Sequence, residues 1–99
     1  MYSIFATDEF LKIKDKLDHS EQEWIRKMEE QLMLNPQGKI LRFSWFREKK
    51  YLNKRLYYLV DDEQKRILFV TFASKKKQEQ CIAYIQGHME ELLLYLKGL

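Results

Sequence analysis

The chain has 99 residues, of which 45% are hydrophobic and 33% charged, a balance typical of one soluble globular domain over 1–99. A single cysteine excludes an internal disulfide, and no apolar run approaches the roughly 18 residues that a membrane-spanning helix needs. The formal net charge of +3 is too small to indicate a partner by itself. The first residues lack the basic start and long apolar stretch of a signal peptide, so we expect a cytoplasmic protein with no membrane partner.

The N-terminal third predicts a strand and two helices joined by a short loop. Residues 2–5 are typical of a short strand, and Thr7 offers an N-cap ahead of two acids, which the helix dipole favours there. Residues 20–23 fit a capping box that opens a second helix. Pro36 ends that helix, because proline cannot continue one.

The rest of the chain predicts three strands and a final helix. Alternating or continuous apolar patterns indicate strands over 40–46, 55–60 and 67–73, with a hairpin turn over 49–53. The last two strands are apolar on both faces, so we expect them to be central in the sheet and covered by helices. One continuous helix is predicted over 74–96. The order β-α-α-β-β-β-α indicates an α+β fold in which an antiparallel sheet packs on helices.

Positive charge is concentrated in two segments. Residues 39–55 hold seven basic residues and one acid, a net +6, and Lys75–Lys77 add +3, so the remainder carries −6 against the total of +3. Such segregation marks one face of a protein for a polyanion. On charge alone, a lysine-rich hairpin that is merely solvated is an equally good interpretation.

Aromatic residues are interleaved with the cations of the 39–55 segment. Cations supply phosphate contacts and aromatic rings stack on unpaired bases, so this pattern is typical of RNA binding. For Arg47, Lys49 and Arg55 we favour a functional role, because like charges on paired strands are destabilising unless an anion binds there. The aromatic residues for which we favour a core position are Trp45, Phe46 and Tyr58.

The three lysines Lys75–Lys77 lie where the predicted last helix begins. The helix dipole is positive there, so each lysine is unfavourable by roughly 0.3–1 kcal/mol at an exposed site. A bound phosphate would compensate, because backbone N–H groups and lysines would converge on one anion. The alternative is that the helix begins later, near Gln78, and that the lysines belong to a loop.

The sequence has no Gly-rich phosphate loop and no carboxylate cluster with metal-ligand spacing. His19 and His88 are far apart with no evident triad partners, and Cys81 is typical of buried packing. An active site would therefore use lysine, arginine, tyrosine and glutamate. That set can serve metal-free RNA cleavage, in which the ribose 2′-hydroxyl attacks the adjacent phosphate and a lysine crowded by cations acts as the base. We expect no metal and no cofactor.

The last helix carries an apolar seam at alternating spacings of three and four residues. The residues of this seam are Ile82, Ile85, Met89, Leu92 and Leu96. The residues that fall partly outside this seam are Leu93, Leu94, Tyr95 and Leu99. The helix end therefore either forms one wide core-facing stripe or offers a surface for a dimer or hetero-oligomer.

Several strings of the sequence resemble the RelE/ParE superfamily of type II toxins. The strings are Phe46-Arg47-Glu48-Lys49-Lys50, Lys54-Arg55-Leu56-Tyr57-Tyr58-Leu59-Val60 and Phe72-Ala73-Ser74-Lys75-Lys76-Lys77-Gln78-Glu79-Gln80, together with the Asn35-Pro36-Gln37-Gly38-Lys39 exit from the helical hairpin. The resemblance covers nearly the whole chain and is carried by the order and spacing of these strings. It implies a RelE, microbial-ribonuclease-like fold, a neutralising antitoxin as partner, and cleavage of mRNA in the ribosome without metal.

The resemblance also suggests roles for individual residues. Arg55 falls on the arginine of the family's Tyr-Arg-x-x-Tyr strand, with Lys54 replacing its first tyrosine and Tyr58 matching the second. Arg47 and Lys49 match the strand that carries catalytic cations, and Lys76 lies near the late basic residue. The family's tyrosine shortly after that residue has no counterpart here, because position 82 is isoleucine.

We therefore predict a catalytic set and an RNA-binding set. The predicted catalytic residues are Arg47, Lys49, Arg55 and Lys76. The predicted RNA-binding residues are Lys50, Lys54, Tyr58, Lys75 and Lys77. The function predicted from these sets is a toxin that cleaves mRNA and represses translation; the alternatives are a gyrase-inhibiting toxin of the ParE type and a catalytically inactive RNA- or protein-binding domain.

Overall fold

The computed structural model describes residues 1–98, in which four helices pack on the two faces of a five-stranded sheet. The strands are β1 (Ser3–Ala6), β2 (Lys39–Ile40), β3 (Phe46–Tyr51), β4 (Lys54–Asp61) and β5 (Arg66–Ser74). The helices are α1 (Asp8–Asp15), α2 (His19–Leu34), α3 (Gln78–Gly87) and α4 (Met89–Gly98), with a 3₁₀ turn at Lys75–Lys77. The predicted α+β class is confirmed. None of the helices in this described part is long and apolar enough to cross a membrane.

The sheet is mixed rather than wholly antiparallel, with the strand order β1-β5-β4-β3-β2. β1 runs parallel to β5, with Ser3 opposite Arg66 and Ala6 opposite Phe69, whereas the other three pairs are antiparallel. A parallel pair needs a long connection, and the chain between β1 and β5 supplies one. The prediction of a purely antiparallel sheet is wrong at this edge.

Side-chain caps begin both N-terminal helices. At α1 the Thr7 hydroxyl accepts the N–H of Phe10, as predicted. At α2 the Asp18 carboxylate accepts the Glu21 N–H at 2.8 Å, and the Glu21 carboxylate accepts the Asp18 N–H at 3.1 Å, which completes a capping box. The box predicted at 20–23 is therefore wrong by two residues, and Ser20 donates its hydroxyl to Asp18 instead.

The strand predicted over 40–46 is largely a loop. After β2 the residues 41–45 turn back on themselves: the N–H of Leu41 donates to the carbonyl of Phe46, and the N–H of Phe46 donates to the carbonyl of Phe43, each at 3.0 Å. The alternation of apolar residues reflects aromatic packing within this loop.

Both faces of the sheet carry apolar side chains, which confirms that β4 and β5 are central strands. We call the face covered by α1 and α2 the N-helix face and the face covered by α3 and α4 the C-helix face. The core of the N-helix face includes Phe10, Ile25, Leu32, Leu56, Tyr58 and Phe69. The core of the C-helix face includes Phe46, Tyr57, Leu59, Leu68, Ile82 and Ile85. Because side chains alternate along a strand, neighbours on β3 or β4 belong to opposite faces.

The predicted single C-terminal helix is broken at His88. This residue leaves the helical region, with φ −115° and ψ 20°, and its N–H donates to the carbonyls of Tyr84 at 3.0 Å and Ile85 at 3.3 Å. Gly87, a weak helix former, precedes the break. α4 therefore takes its own direction and buries Leu96 in the C-helix face.

Candidate functional site

The two basic segments of the sequence meet at one end of the sheet. β3 continues to Tyr51, so the hairpin turn is only Leu52 and Asn53. Leu52 takes a left-handed φ of 52°, and a positive φ at the first position is usual in two-residue hairpin turns. The N–H of Lys75 donates to the carbonyl of Asn53 at 2.7 Å. This hydrogen bond joins the lysine triplet Lys75–Lys77 to the hairpin tip.

The strand register places the predicted catalytic residues on opposite faces. On β3, Arg47 lies opposite Tyr58 and Lys49 opposite Leu56, so both belong to the N-helix face. Arg55 belongs to the C-helix face, as does Lys50, which lies opposite it. The predicted catalytic residues of the hairpin therefore do not form one site, because the pairing register that the two-residue turn sets puts Arg47 and Lys49 on the face opposite to Arg55.

Arg47 and Tyr58 hold the loop that enters β2. The Arg47 Nε donates to the carbonyl of Ser44 at 2.9 Å and its Nη1 to the carbonyl of Pro36 at 3.0 Å. The Tyr58 hydroxyl donates to the same Pro36 carbonyl at 3.1 Å, and its ring is fully buried. The prediction that Tyr58 contacts RNA is wrong for this reason, and the preferred core position is confirmed. Burial raises the pKa of Tyr58 far above its usual value.

A buried ion pair on the C-helix face is the most distinctive chemical feature of this end of the sheet. The Glu48 carboxylate lies 3.2 Å from the Arg55 Nε and accepts the side-chain amide of Gln78 at 2.9 Å. The side chains of Glu48 and Arg55 are only 5% and 7% exposed. The Arg55 Nη1 also donates to the carbonyls of Leu52 and Lys54, at 3.3 and 3.0 Å. Removing both charges from water costs several kcal/mol per ion, so the pair needs a reason beyond stability.

Tyr57 is a third buried residue of the site, next to this pair. It lies opposite Glu48 across the strands, its ring is fully buried, and its hydroxyl has no hydrogen-bond partner among residues 1–98. Burial raises the pKa of Tyr57, and the neighbouring Cys81 and Glu48 raise it further, so the hydroxyl stays protonated. Burial likewise raises the pKa of the half-buried Cys81 thiol.

Exposed lysines adjoin the residues that contact the buried pair: Lys50 is paired with Arg55 across the strands, and the triplet Lys75–Lys77 precedes Gln78. Lys50 is exposed on the C-helix face, and the triplet Lys75–Lys77 is exposed in the 3₁₀ turn that follows β5. α3 begins at Gln78, as the later-start interpretation expected. Lys54 differs from these lysines, because it forms an ion pair with Glu21. Its charge is therefore already compensated on the N-helix face.

A separate cleft of about 610 Å³ opens beside the end of β5, between the α1–α2 loop and α3. Its lining includes the paired Lys54 and Glu21 together with Lys77, Phe72 and Tyr84. Glu48 and Arg55 do not line it. The cleft therefore presents a mixed lining and does not contain the buried ion pair.

Two residues of the candidate site were missed by the sequence analysis. Glu48 is the one acid within the basic 39–55 segment, and Gln78 follows the lysine triplet. The isolated acid was a usable signal, because a lone carboxylate among seven cations is placed to pair with one of them. The contact of Glu48 with Gln78 joins positions 30 residues apart, so no local sequence pattern predicts it.

The assembled side chains can perform acid–base and phosphate chemistry. A carboxylate can accept a proton, a guanidinium can stabilise an oxyanion, and lysines can hold phosphates. Within residues 1–98, no group of three histidine, cysteine, aspartate or glutamate side chains is placed to hold a metal ion.

Comparison with solved structures shows the fold of the RelE toxins. The isolated E. coli RelE toxin superposes with a TM-score of 0.67 and 18% identity, covering 86% of this chain and 99% of that one. A chain of the intact E. coli RelBE toxin–antitoxin complex gives 0.67 and 20%, covering 75% and 96%. A chain of the RelBE2 toxin–antitoxin complex from Mycobacterium tuberculosis gives 0.64 and 20%, covering 74% and 96%.

The predicted resemblance to RelE is confirmed at the level of the fold. No protein-family model matches the sequence, and no curated protein matches it with significant sequence similarity. At these identities the likeness concerns the path of the backbone, and the chemistry must be argued from the side chains described above.

Proposed function

We propose that this chain is the toxin of a type II toxin–antitoxin system and cleaves mRNA, so that translation is repressed. The observation that carries the proposal is the buried Glu48–Arg55 pair at the end of a RelE-type sheet where the exposed lysine triplet is hydrogen-bonded to the hairpin tip. The solved relatives with this fold include RelE toxins crystallised alone and in complexes with antitoxins.

The proposed reaction uses the ribose 2′-hydroxyl as nucleophile. Glu48 takes the 2′-hydroxyl proton as the 2′-oxygen–phosphorus bond forms, and the phosphorus–5′-oxygen bond then breaks. Arg55 stabilises the negative charge that builds on the phosphate oxygens. Lys76 protonates the leaving 5′-oxygen, so the products are a 2′,3′-cyclic phosphate and a 5′-hydroxyl end.

Glu48 replaces a lysine as the proposed base for reasons of chemistry and position. A carboxylate can accept the proton directly, and its contact with Arg55 places the base next to the group that stabilises the negative charge on the phosphate. Lys50, Lys75 and Lys77 then have the role of phosphate contacts, since all three are exposed, Lys50 is paired with Arg55 across the strands, and the triplet precedes Gln78. Gln78 must release the Glu48 carboxylate as substrate binds, because its amide occupies one oxygen.

An antitoxin is the proposed protein partner. Of the residues partly outside the apolar seam, Leu94 and Tyr95 of α4 are 73% and 48% exposed, Leu93 is half-buried, and Leu99 lies outside the described residues. Tyr84 of α3 is 44% exposed. Exposed apolar side chains on neighbouring helices are typical of a protein-binding surface. A homodimer through α4 is the competing occupant of this surface.

The proposal is tested in a translating extract programmed with a single mRNA, in which primer extension locates any new RNA ends. The purified chain should fragment the mRNA, and Lys76→Ala should cut at least about tenfold more slowly. The matched control is Lys12→Ala, which removes an exposed lysine from α1 and should leave the rate unchanged. Intact mRNA together with inhibited DNA supercoiling by gyrase would contradict the proposal and identify a ParE-type toxin.

A further inference from the structure

We propose that the exposed ring of Phe43 is a stacking platform for an unpaired RNA base, on the same face of the sheet as the Glu48–Arg55 pair. That the ligand is RNA rests on the proposed function. The platform adds a binding subsite that the bond-breaking step does not itself require.

A ladder of four aromatic rings runs from the interior to the surface on the C-helix face. The ring centroids of Tyr57 and Phe46 are 6.3 Å apart, those of Phe46 and Trp45 are 6.3 Å apart, and those of Trp45 and Phe43 are 4.9 Å apart. Tyr57 and Phe46 are fully buried, Trp45 is half-buried, and Phe43 is 39% exposed. The ladder therefore begins beside Glu48 and ends at solvent.

The outermost pair of rings is already arranged as a stack. The Phe43 and Trp45 ring planes are within 3° of parallel, so the exposed side of Phe43 can continue the stack with another flat ring. Backbone hydrogen bonds hold the loop that carries these rings. The carbonyl of Trp45 accepts the N–H of Val60 on β4 at 2.8 Å, and the carbonyl of Phe43 accepts the N–H of Phe46. A ring held in place loses little conformational freedom when a ligand stacks on it.

The surrounding charge favours a nucleobase over an apolar protein segment. Arg42 and Lys39 are exposed next to the loop, within the segment of net charge +6. Along β3, Lys50 lies on the same face four residues beyond Phe46, a distance of about 13 Å at the usual rise per residue. A short single strand with a base on Phe43 and a phosphate at Lys50 would therefore contact the two exposed residues that lie on either side of the buried Phe46 and Glu48. Aromatic rings beside cations are the recurring design of single-strand binding sites.

The test measures binding of a short single-stranded RNA that cannot be cleaved, with 2′-O-methyl groups in place of every 2′-hydroxyl. Trp24→Phe provides the background, so that the fluorescence of Trp45 reports binding. Phe43→Ala should raise the dissociation constant by roughly 5- to 150-fold, the range for loss of one base–aromatic stack. Phe43→Trp should keep wild-type affinity, and Phe43→Leu should lose as much as the alanine variant. Leu11→Ala, which removes an exposed apolar side chain from α1, is the matched control and should have no effect.

Abasic substitution identifies the base that stacks on Phe43. One nucleotide position, when made abasic, should lower wild-type affinity and leave the Phe43→Ala variant unaffected. Wild-type affinity in Phe43→Ala or in Phe43→Leu would overturn the platform, as would weakened antitoxin binding with unchanged RNA binding. The RNA of this binding test is not cleaved, so the two proposals can fail separately. If binding depends on Phe43 but the chain cleaves no mRNA, only the proposed function is contradicted. If the chain cleaves mRNA but binding does not depend on Phe43, only the stacking platform is contradicted.

Discussion

Gly38 lies where the loop after α2 approaches two strands. A Cβ atom there would overlap the Tyr58 hydroxyl and lie 2.8 Å from the carbonyl oxygen of Glu48. Neither atom is free to move, because the Tyr58 hydroxyl is hydrogen-bonded to the carbonyl of Pro36 and the Glu48 carbonyl belongs to the backbone of β3. Glycine at position 38 therefore allows the loop to pack closely against β3, the strand that carries Glu48.

Gly38→Ala should lower the free energy of unfolding by about 1–3 kcal/mol, the usual cost of overpacking. Gly87→Ala is the matched control: its Cβ would meet nothing within 4 Å, and removing a helical glycine should raise stability by about 0.5–1 kcal/mol. Chemical denaturation compares the two variants. Equal stability changes would contradict the described packing around Gly38.

The two buried tyrosines of β4 should respond differently to loss of their hydroxyl groups. Tyr58→Phe removes a hydrogen bond to Pro36 and should cost about 0.5–1.5 kcal/mol, with RNA binding unchanged. Tyr57→Phe should leave stability equal or higher, because the Tyr57 hydroxyl is unpartnered within residues 1–98. Thermal unfolding and RNA titration of both variants check this; a larger stability loss at Tyr57 than at Tyr58 would refute it.

At the scale of elements, the start of α2 is the clearest electrostatic prediction. The backbone N–H of Glu21, and then the Ser20 hydroxyl, hold the pKa of Asp18 below its usual 3.8. A carboxyl group with a lowered folded-state pKa stabilises the protein above its unfolded pKa, and this contribution is lost as pH falls through the folded value. Asp18→Ala should therefore lower Tm by a few degrees at pH 7, and the difference from wild type should shrink below about pH 4.

Ser20→Ala distinguishes this cap from the one predicted at 20–23. Ser20 touches the helix end only through Asp18, so its removal should lower Tm less than Asp18→Ala does. The reverse order of the two variants would show that α2 begins two residues later.

Local chemistry predicted some elements well and misled at others. The cap at Thr7 and the doubly apolar strands β4 and β5 were correct because short-range signals decide them. The loop at 41–45 was mistaken for a strand because its aromatic residues recur every second position, the same period as a strand. The break at His88 was missed because the apolar seam continues across it.

At the scale of the molecule, the candidate site depends on a register that the sequence left open. The predicted turn over 49–53 would place Arg47 opposite Arg55, whereas the observed two-residue turn places Lys50 opposite Arg55 and Glu48 within reach of it. A shift of one residue moves every side chain to the other face. The sequence therefore predicted which segments meet, and the pairing of strands decided which side chains do.

The lysine triplet should dominate the salt dependence of RNA binding. Replacing Lys75 and Lys76 by alanine should weaken binding and reduce the slope of log affinity against log salt by about 0.7 for each phosphate that is no longer neutralised. The control replaces Lys12 and Lys27, exposed lysines of α1 and α2, with the same change in net charge. Equal slopes for the two double variants would show that net charge rather than position determines binding.

The rate of RNA cleavage by Glu48→Gln is the most direct test of the proposed chemistry. Glutamine keeps the size of the side chain and can still hydrogen-bond to Arg55, but it leaves the buried guanidinium without a counter-charge, so Tm should fall, by the equivalent of about 3–5 kcal/mol, and the rates are compared at a temperature at which the variant is folded. Glutamine cannot accept the 2′-hydroxyl proton. We expect cleavage to fall by about 10²- to 10⁴-fold, and Glu48→Asp, which keeps the carboxylate, to retain part of the wild-type rate. Cleavage by a folded Glu48→Gln variant at the wild-type rate would contradict the assignment of the buried pair as the active centre.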